Sequence, residues 1–211
     1  MKKSLTLCMV TALMVFGAGI ARADLVTNGS FESGSYSANG SGFMTLSAGS
    51  TAINGWTVTG GGVDWIGTYW TADAGSMSLD LSGNNPGGIQ LGTSLATTAG
   101  QEYVLQFYLA GNPDGPPTIK PLQVTVGNLT PMMFYFNDTG FTKANMGWAL
   151  ETFYFTASSS TTTLLFTSNS GTAYGPALDN VSVNAVPEPS LTLLFGMGLG
   201  AVSLVGLRRK S

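Results

Sequence analysis

The 211-residue sequence contains no histidine and a single cysteine, Cys8. Without histidine, a Ser-His-Asp triad, a Cys-His pair and a histidine-ligated zinc or copper centre are excluded. Cys8 lies in the apolar stretch near the N-terminus, so a mature chain without that stretch has neither a disulfide nor a thiol nucleophile. Catalysis would need carboxylates, as in a glycosidase pair drawn from Glu32, Glu102, Glu151 and the aspartates. We interpret these acids as scattered surface residues and expect a protein that is not an enzyme.

Charged residues are also scarce, at 9% of the chain, and they are unevenly distributed. Six of the eight Lys and Arg residues lie in the first 22 or the last four positions, which leaves only Lys120 and Lys143 between. Ten of the eleven acids fall in residues 24–186, so two lysines against ten acids give this segment a formal charge of −8. Such a surface disfavours nucleic acid and anionic membranes as partners and suits neutral polyols.

The N-terminus has the pattern of a secretory signal peptide. Lys2 and Lys3 precede an apolar stretch from Leu5 to Ile20, and Ala21-Arg22-Ala23 supplies a small-x-small cleavage site. The sequence therefore predicts a signal peptide over residues 1–23 and a mature chain that begins at Asp24.

The C-terminal segment, 187–211, combines three features in order: a proline-rich stalk, an apolar run from Leu191 to Leu207 and a basic cluster. As a helix the run would be about 25 Å long, enough to span a thin bilayer. The terminal cations would then stay on the cytoplasmic side of the inner membrane. The residues that define the stalk and the cluster are Pro187, Glu188, Pro189, Arg208, Arg209 and Lys210.

This order resembles the PEP-CTERM sorting tail of Gram-negative, exopolysaccharide-producing bacteria. The resemblance implies recognition by an exosortase, cleavage near Pro187-Glu188-Pro189 and release to the cell surface or the extracellular matrix of a biofilm. A plain C-terminal membrane anchor is the alternative interpretation.

Between these ends, residues 24–186 are long enough for one domain with a sizeable core. Short β-rich stretches alternate with turn clusters, and residues 103, 105, 107 and 109 place Tyr, Leu, Phe and Leu on one strand face. We predict an all-β fold, a two-sheet antiparallel sandwich of jelly-roll type. The predicted strands are 56–59, 63–66, 77–81, 103–110, 122–126, 132–136, 152–156, 163–167 and 178–184, with turns at 83–88, 111–117 and 168–171.

Three segments in order carry a second resemblance: Leu25-Val-Thr-Asn-Gly-Ser-Phe-Glu32, Gly55-Trp-Thr-Val58 and Ala177-Leu-Asp-Asn-Val-Ser-Val183. Over residues 24–184 the chain resembles the choice-of-anchor C family of bacterial surface proteins, which is allied to the plant cell-wall domain family of galactose-binding-like folds. Related jelly-roll carbohydrate-binding modules commonly hold a structural calcium where the terminal strands meet. That resemblance would place a calcium at Glu32 and Asp179.

Asp179 also attracts attention through strand parity. In a regular strand Asp179 lies on the same face as Val181 and Val183, because every second residue shares a face. It should therefore point inward, where a bare carboxylate is strongly penalised. Either calcium or backbone N–H groups would satisfy it, and the sequence does not choose between them.

The segment Asp64-Trp65-Ile66-Gly67-Thr68-Tyr69-Trp70 is the best candidate for ligand contact. Flat rings at Trp65, Tyr69 and Trp70 suit the apolar faces of sugars, and Asp64 suits their hydroxyl groups. The alternative is that these rings fill the core. Trp148 and Tyr174 are weaker candidates on other loops.

Taken together, these patterns predict an exported β-sandwich that binds neutral carbohydrate. A structural or adhesive matrix protein without a saccharide site is the main alternative, and a polysaccharide-active enzyme is a lesser one.

Overall fold

The computed structural model describes residues 23–187. Almost all of the predicted signal peptide (1–23) and of the sorting tail, including Glu188, Pro189, Arg208 and Arg209, lies outside the described residues, so both stay predictions. No helix in the described part of the chain is long and apolar enough to cross a membrane.

Thirteen β-strands make up the regular structure of residues 23–187. They are β1 (Phe43–Leu46), β2 (Trp56–Gly60), β3 (Val63–Ile66), β4 (Ser78–Asp80), β5 (Gly87–Leu91), β6 (Leu95–Ala96), β7 (Glu102–Gly111), β8 (Ile119–Val126), β9 (Met132–Asn137), β10 (Ala149–Thr156), β11 (Thr161–Thr162), β12 (Leu164–Ser168) and β13 (Pro176–Ala185).

The strands form two main antiparallel sheets. The six-stranded sheet has the order β1-β3-β4-β13-β7-β10, the five-stranded sheet has the order β2-β5-β12-β8-β9, and β6 pairs with β11 at one end. This arrangement confirms the predicted all-β sandwich. All nine predicted strands are present, with their ends shifted by up to three residues.

The core lies between the two main sheets and follows from alternation along the strands. Tyr103, Leu105, Phe107 and Leu109 of β7 all face it, as the period of two predicts. The ring of Phe107 meets Phe166 of the opposite sheet edge to face, with 5.3 Å between ring centroids. Such pairs add to the stability that burial of the rings provides.

Strand β5 begins where the sequence predicted a turn, at Gly87 and Gly88. A Cβ atom on Gly87 would lie 1.9 Å from the carbonyl oxygen of Gly62, and one on Gly88 would lie 2.4 Å from that of Phe166. These glycines are therefore required by the close approach of neighbouring backbone rather than by a turn. Strands β1, β6 and β11 were also missed, and each is at most four residues long.

The parity argument for Asp179 is wrong, because a β-bulge interrupts β13 between Asp179 and Ser182. Asn180 within the bulge has a φ of 49°. The extra residue reverses the alternation, so Val183 faces the core opposite Leu105 while Asp179 lies on the outer face. Asp179 is nevertheless fully buried, because a loop covers it there.

Candidate functional site

A cavity of about 170 Å³ opens on the outer face of the six-stranded sheet, the face that points away from the sandwich core. We call it the Asp64–Asp80 cavity. Its floor is formed by β1, β3 and β4, and its walls by the loops that follow β3, β4, β7 and β12. The lining residues are Phe43, Thr45, Asp64, Ile66, Tyr69, Trp70, Asp80, Gly83, Asn84, Asn112, Ala173 and Tyr174.

Two carboxyl groups stand side by side on the floor. Asp64 of β3 is directly opposite Asp80 of β4, and Thr45 of β1 is opposite Asp64. Residues paired in this way project from the same face of a sheet, with Cβ atoms about 5 Å apart. The Thr45 hydroxyl donates a 2.6 Å hydrogen bond to Asp64 Oδ1. Burial raises the pKa of Asp64 above its usual value, and this hydrogen bond partly offsets the rise.

Asp80 is only 1% exposed, and it accepts three hydrogen bonds. The donors are the backbone N–H of Ser82 at 2.9 Å, that of Gly175 at 3.2 Å and the Asn112 side-chain amide at 2.7 Å. Burial raises the pKa of Asp80 to about 8, against the effect of these donors, and the charge of Asp64 adds to the rise. The surroundings of Asp80 therefore favour the protonated form of its carboxyl group.

Tyr69 forms part of the wall and is held from several sides. Its hydroxyl donates to Asp114 Oδ2, and Lys143 Nζ lies 3.8 Å from the centre of its ring. Lys143 also forms a 2.9 Å ion pair with Asp114. The rings of Phe43 and Tyr69 pack edge to face, with 5.1 Å between their centroids. One face of the Tyr69 ring is thus occupied by a cation of the protein itself.

Trp70 lines the cavity but is buried, with only 4% of the residue exposed. Its indole N–H donates to Ser78 Oγ at 2.8 Å, and its ring contacts that of Tyr69 with 5.8 Å between centroids. Trp70 therefore shapes the cavity without offering a whole ring face to a ligand.

Trp65 does not belong to the site, which corrects the sequence prediction for this residue. It is 1% exposed, its indole N–H donates to the carbonyl of Phe31 at 3.1 Å, and Tyr36 packs against its ring. Adjacent residues of a strand point to opposite faces, so Asp64 reaches the cavity while Trp65 enters the core. No face of this ring can stack on a ligand.

Tyr174 supplies the most accessible ring, with 38% of the residue exposed. Its position depends on Gly115, where an added Cβ would come within 2.4 Å of the ring. The buried Lys120 fixes both loops, since its ammonium donates to the carbonyls of Gly115 at 2.6 Å and of Tyr174 at 3.2 Å. Lys120 is charge-paired with Asp138 at 3.1 Å.

Glu32 and Asp179 both hold one loop segment, Asp73–Met77, and we call this arrangement the loop clamp. Asp179 accepts from the N–H groups of Asp73 and Ala74 at 2.9 and 3.0 Å and from that of Asn180 at 2.6 Å. Glu32 accepts from the N–H groups of Ser76 and Met77 at 2.9 and 2.7 Å, and from the Ser76 hydroxyl at 2.9 Å. Asp179 thus has the backbone partners that were one of its two predicted solutions.

The loop clamp does not fit a calcium ion. Every oxygen of the two carboxylates faces a hydrogen-bond donor, and backbone N–H groups carry partial positive charge that repels a cation. Within residues 23–187, no three acidic or thiol side chains are grouped so as to hold a metal ion. The geometry therefore favours a structural role for Glu32 and Asp179 that requires no metal.

Sequence reasoning missed Asp80, Asn84 and Asn112 as cavity residues. A signal was available for Asp80, which lies between Leu79 and Leu81 and therefore points away from the face that these two apolar residues occupy. Asn84 and Asn112 follow the ends of strands, and nothing local distinguishes them from other loop asparagines.

Solved structures with a similar fold include several carbohydrate-binding modules. A family 16 module matches with a TM-score of 0.47 and 16% identity, over 76% of this chain and 99% of that one. TmCBM61, solved with β-1,4-galactotriose, matches with a TM-score of 0.49 and 14% identity, over 78% of this chain and 99% of that one. The CBM22-1 xylan-binding domain of Paenibacillus barcinonensis Xyn10C matches with a TM-score of 0.43 and 19% identity, over 69% of this chain and 95% of that one.

A sequence relative is the halomucin of Haloquadratum walsbyi, which is 36% identical over 192 residues. The match covers 86% of this chain but only 2% of the halomucin, so the chain corresponds to a small part of that protein.

The family comparison covers the whole sandwich. Residues 24–184 match the model of the family described as "Protein of unknown function (DUF642)", in agreement with the predicted kinship to the plant cell-wall domain family. The choice-of-anchor C and PEP-CTERM resemblances stay predictions. Because the match extends over most of the chain, the protein belongs to the DUF642 family.

Proposed function

We propose that the sandwich domain binds neutral carbohydrate in the Asp64–Asp80 cavity. The observation that carries the proposal is the composition of the cavity, which combines carboxyl and amide groups on its floor and rim with aromatic walls. Carboxyl and amide groups bond to sugar hydroxyls, and an exposed ring such as Tyr174 stacks on the apolar face of a pyranose.

Charge restricts the ligand class further. Neither described lysine is available to an anionic sugar, since Lys143 pairs with Asp114 and Lys120 is buried with Asp138. Asp64 adds negative charge at the floor of the cavity when it is ionised. A uronic acid would be repelled there, whereas a neutral sugar donates its hydroxyl protons to the same oxygens.

The test compares two exposed tyrosines, Tyr174 at the cavity and Tyr135 on β9 of the other sheet. The full-length chain and the variants Tyr174→Ala and Tyr135→Ala are run in native gels that contain galactan, xylan, hydroxyethylcellulose or dextran. We expect Tyr174→Ala to reduce retardation, because it should weaken the binding free energy by about 1 to 3 kcal/mol, the scale of one large apolar contact. The Tyr135 change should have no effect.

A second variant, Asn112→Ala, removes a polar group of the cavity and should weaken the same interaction. If the full-length chain binds a neutral polysaccharide and neither Tyr174→Ala nor Asn112→Ala changes it, the cavity is not the site. If none of the four polysaccharides retards the chain, a structural matrix role replaces the binding role.

We also propose that the chain is exported and sorted to the cell surface or matrix through residues 187–211. The signal-peptide pattern of residues 1–23 and the resemblance of the tail support this, as does the likeness to a halomucin. Intact-mass analysis of protein from the native host should show loss of both ends. A mature species that retains residues 190–211 would instead indicate a plain membrane anchor.

A further inference from the structure

A second part of the outer face of the six-stranded sheet is exposed, and the loop segment Asp73–Met77 on Asp179 separates it from the cavity. It is formed by three neighbouring strands, β10, β7 and β13, in three cross-strand rows. We call it the β7–β10–β13 face. Its rows are Leu150 opposite Tyr108, Thr152 opposite Gln106 and Ser182, and Tyr154 opposite Val104 and Asn184.

This face combines apolar and polar groups in a regular order. Tyr154 is 58% exposed and Leu150 is 50% exposed, and they stand at its two ends beside half-buried Val104 and Tyr108. Hydroxyl and amide side chains fill the middle row, where Gln106 and Thr152 contact each other at 3.4 Å. Leu150 and Tyr154 are covered by neither the core nor a loop, so both can contact a ligand.

The face is electrically neutral. Glu151 of β10 points to the opposite side of the sheet, opposite Phe107, and Asp179 lies beneath the loop clamp. Glu102 is paired with Thr156 one row beyond Tyr154, at the end of the face. Both described lysines are held in ion pairs near the cavity, Lys120 of β8 with Asp138 and Lys143 with Asp114. An anionic polymer or an anionic membrane therefore has no cation to bind here.

The dimensions limit the occupant. The five residues of β10 from Leu150 to Tyr154 extend about 14 Å, and three strands are about 10 Å wide. The resulting area of about 140 Å² is far below the roughly 800 Å² that each partner of a stable protein interface buries. The strip is too small for a second copy of the chain, but it accommodates a short segment of an extended polysaccharide.

We propose that the β7–β10–β13 face is a second carbohydrate surface, which binds an extended neutral polysaccharide along the strands. The rings of Tyr154 and Tyr108 stack on sugar faces. The Gln106 and Thr152 side chains bond to hydroxyls between the two rings, and Asn184 bonds to hydroxyls in the row of Tyr154. This inference rests on the ligand class of the proposed function but not on its site, because the two surfaces are lined by different residues.

The test compares Tyr154→Thr with the control variant Tyr135→Thr. Tyr135 is 62% exposed, close to the 58% of Tyr154, and it lies on β9, an edge strand of the other sheet. Threonine keeps the β propensity of both strands. The probes are long chains and trisaccharides of galactan, xylan and cellulose, applied to the full-length chain, and melting curves confirm that each variant is folded.

We expect Tyr154→Thr to weaken binding of the long chains about tenfold or more while trisaccharide binding falls less, and Tyr135→Thr to change neither. The cavity variant Tyr174→Ala should weaken binding of both. Loss with Tyr154→Thr but not with Tyr174→Ala would support this face and overturn the cavity. Unchanged long-chain binding by Tyr154→Thr, or no binding by the unmodified chain, would overturn the second surface.

Discussion

Burial in the fold strongly raises the pKa of two carboxyl groups, those of Asp80 and Asp179. Each accepts three hydrogen bonds from N–H groups, and none of the buried side-chain polar atoms in residues 23–187 lacks a partner. Burial nevertheless outweighs those bonds and raises the pKa to about 8 for Asp80 and about 7 for Asp179. The folded domain therefore retains protons that the unfolded chain has lost.

The first prediction is that stability falls as pH rises from about 5 to about 8. The pKa values of both groups in the folded state lie above the ordinary value of 3.8. The contribution of the two protonated groups to the free energy of unfolding is therefore complete below about pH 4 and is lost as pH passes 7 and 8. The slope is at most about 1.4 kcal/mol per pH unit for each group. Thermal melts across this range measure it.

The matched variant for the pH prediction is Asp64→Asn, which removes the charge that adds to the pKa of Asp80. The decline in melting temperature should then end at a lower pH. A melting temperature that rises steadily between pH 5 and pH 8 would contradict the predicted protonation of Asp80 and Asp179, and carbon NMR of the two carboxyl groups would show it directly.

At the scale of an element, the segment Asp73–Met77 has no strand partner and depends on the loop clamp. It also precedes β4, which carries Asp80, and follows Trp70 of the cavity wall. The clamp thus connects the N-terminal segment and β13 to the loop that shapes the cavity.

The second prediction concerns the clamp and calcium together. Glu32→Ala removes three hydrogen bonds and should lower the free energy of unfolding by about 1 to 2 kcal/mol, because water replaces the carboxylate at this exposed position. Glu32→Gln, which keeps a carbonyl acceptor, should lower it less. Denaturant unfolding measures both.

The same unfolding curves should be identical with a chelator and with millimolar calcium, because N–H groups occupy the carboxylate oxygens. A calcium-dependent rise in stability that disappears in Glu32→Ala would support the calcium site that the family resemblance implies.

At the scale of the whole molecule, charge is distributed so that negative groups prevail over the described surface. The two lysines serve the loops around the cavity, as a buried ammonium for Lys120 and as a partner of Asp114 for Lys143. Neither contributes to a basic patch. A ligand of the proposed class would therefore be held by shape and hydrogen bonding rather than by long-range electrostatics.

The third prediction is that binding of a neutral polysaccharide changes little with salt. Salt at 0.1 M screens charges that are more than about 10 Å apart and so weakens long-range attraction between opposite charges. A neutral polysaccharide carries no charge, so its binding involves no such attraction. Polygalacturonate should not bind at low salt. Titrations at low and high ionic strength measure both effects, and a steep loss of affinity with added salt would show that the ligand class is anionic.

The sequence by itself determined the all-β sandwich and most of its inward faces, because alternation along a strand is a local property. The same alternation could have separated Asp64 from Trp65, which are adjacent and must face opposite sides. For Asp179 the alternation misled, since a bulge at Asn180 shifts the faces and the bulge has no clear local pattern.

The tertiary structure decided the composition of the site. Asp64, Tyr69 and Trp70 come from one predicted segment, but Asp80, Asn112 and Tyr174 reach the same cavity only through the pairing of β4 with β3 and β13 and of β13 with β7. Tertiary contacts also placed N–H groups on the carboxylate oxygens of Glu32 and Asp179. Residues distant in the chain meet only once the strand order and register are set, because those depend on packing of the whole sandwich.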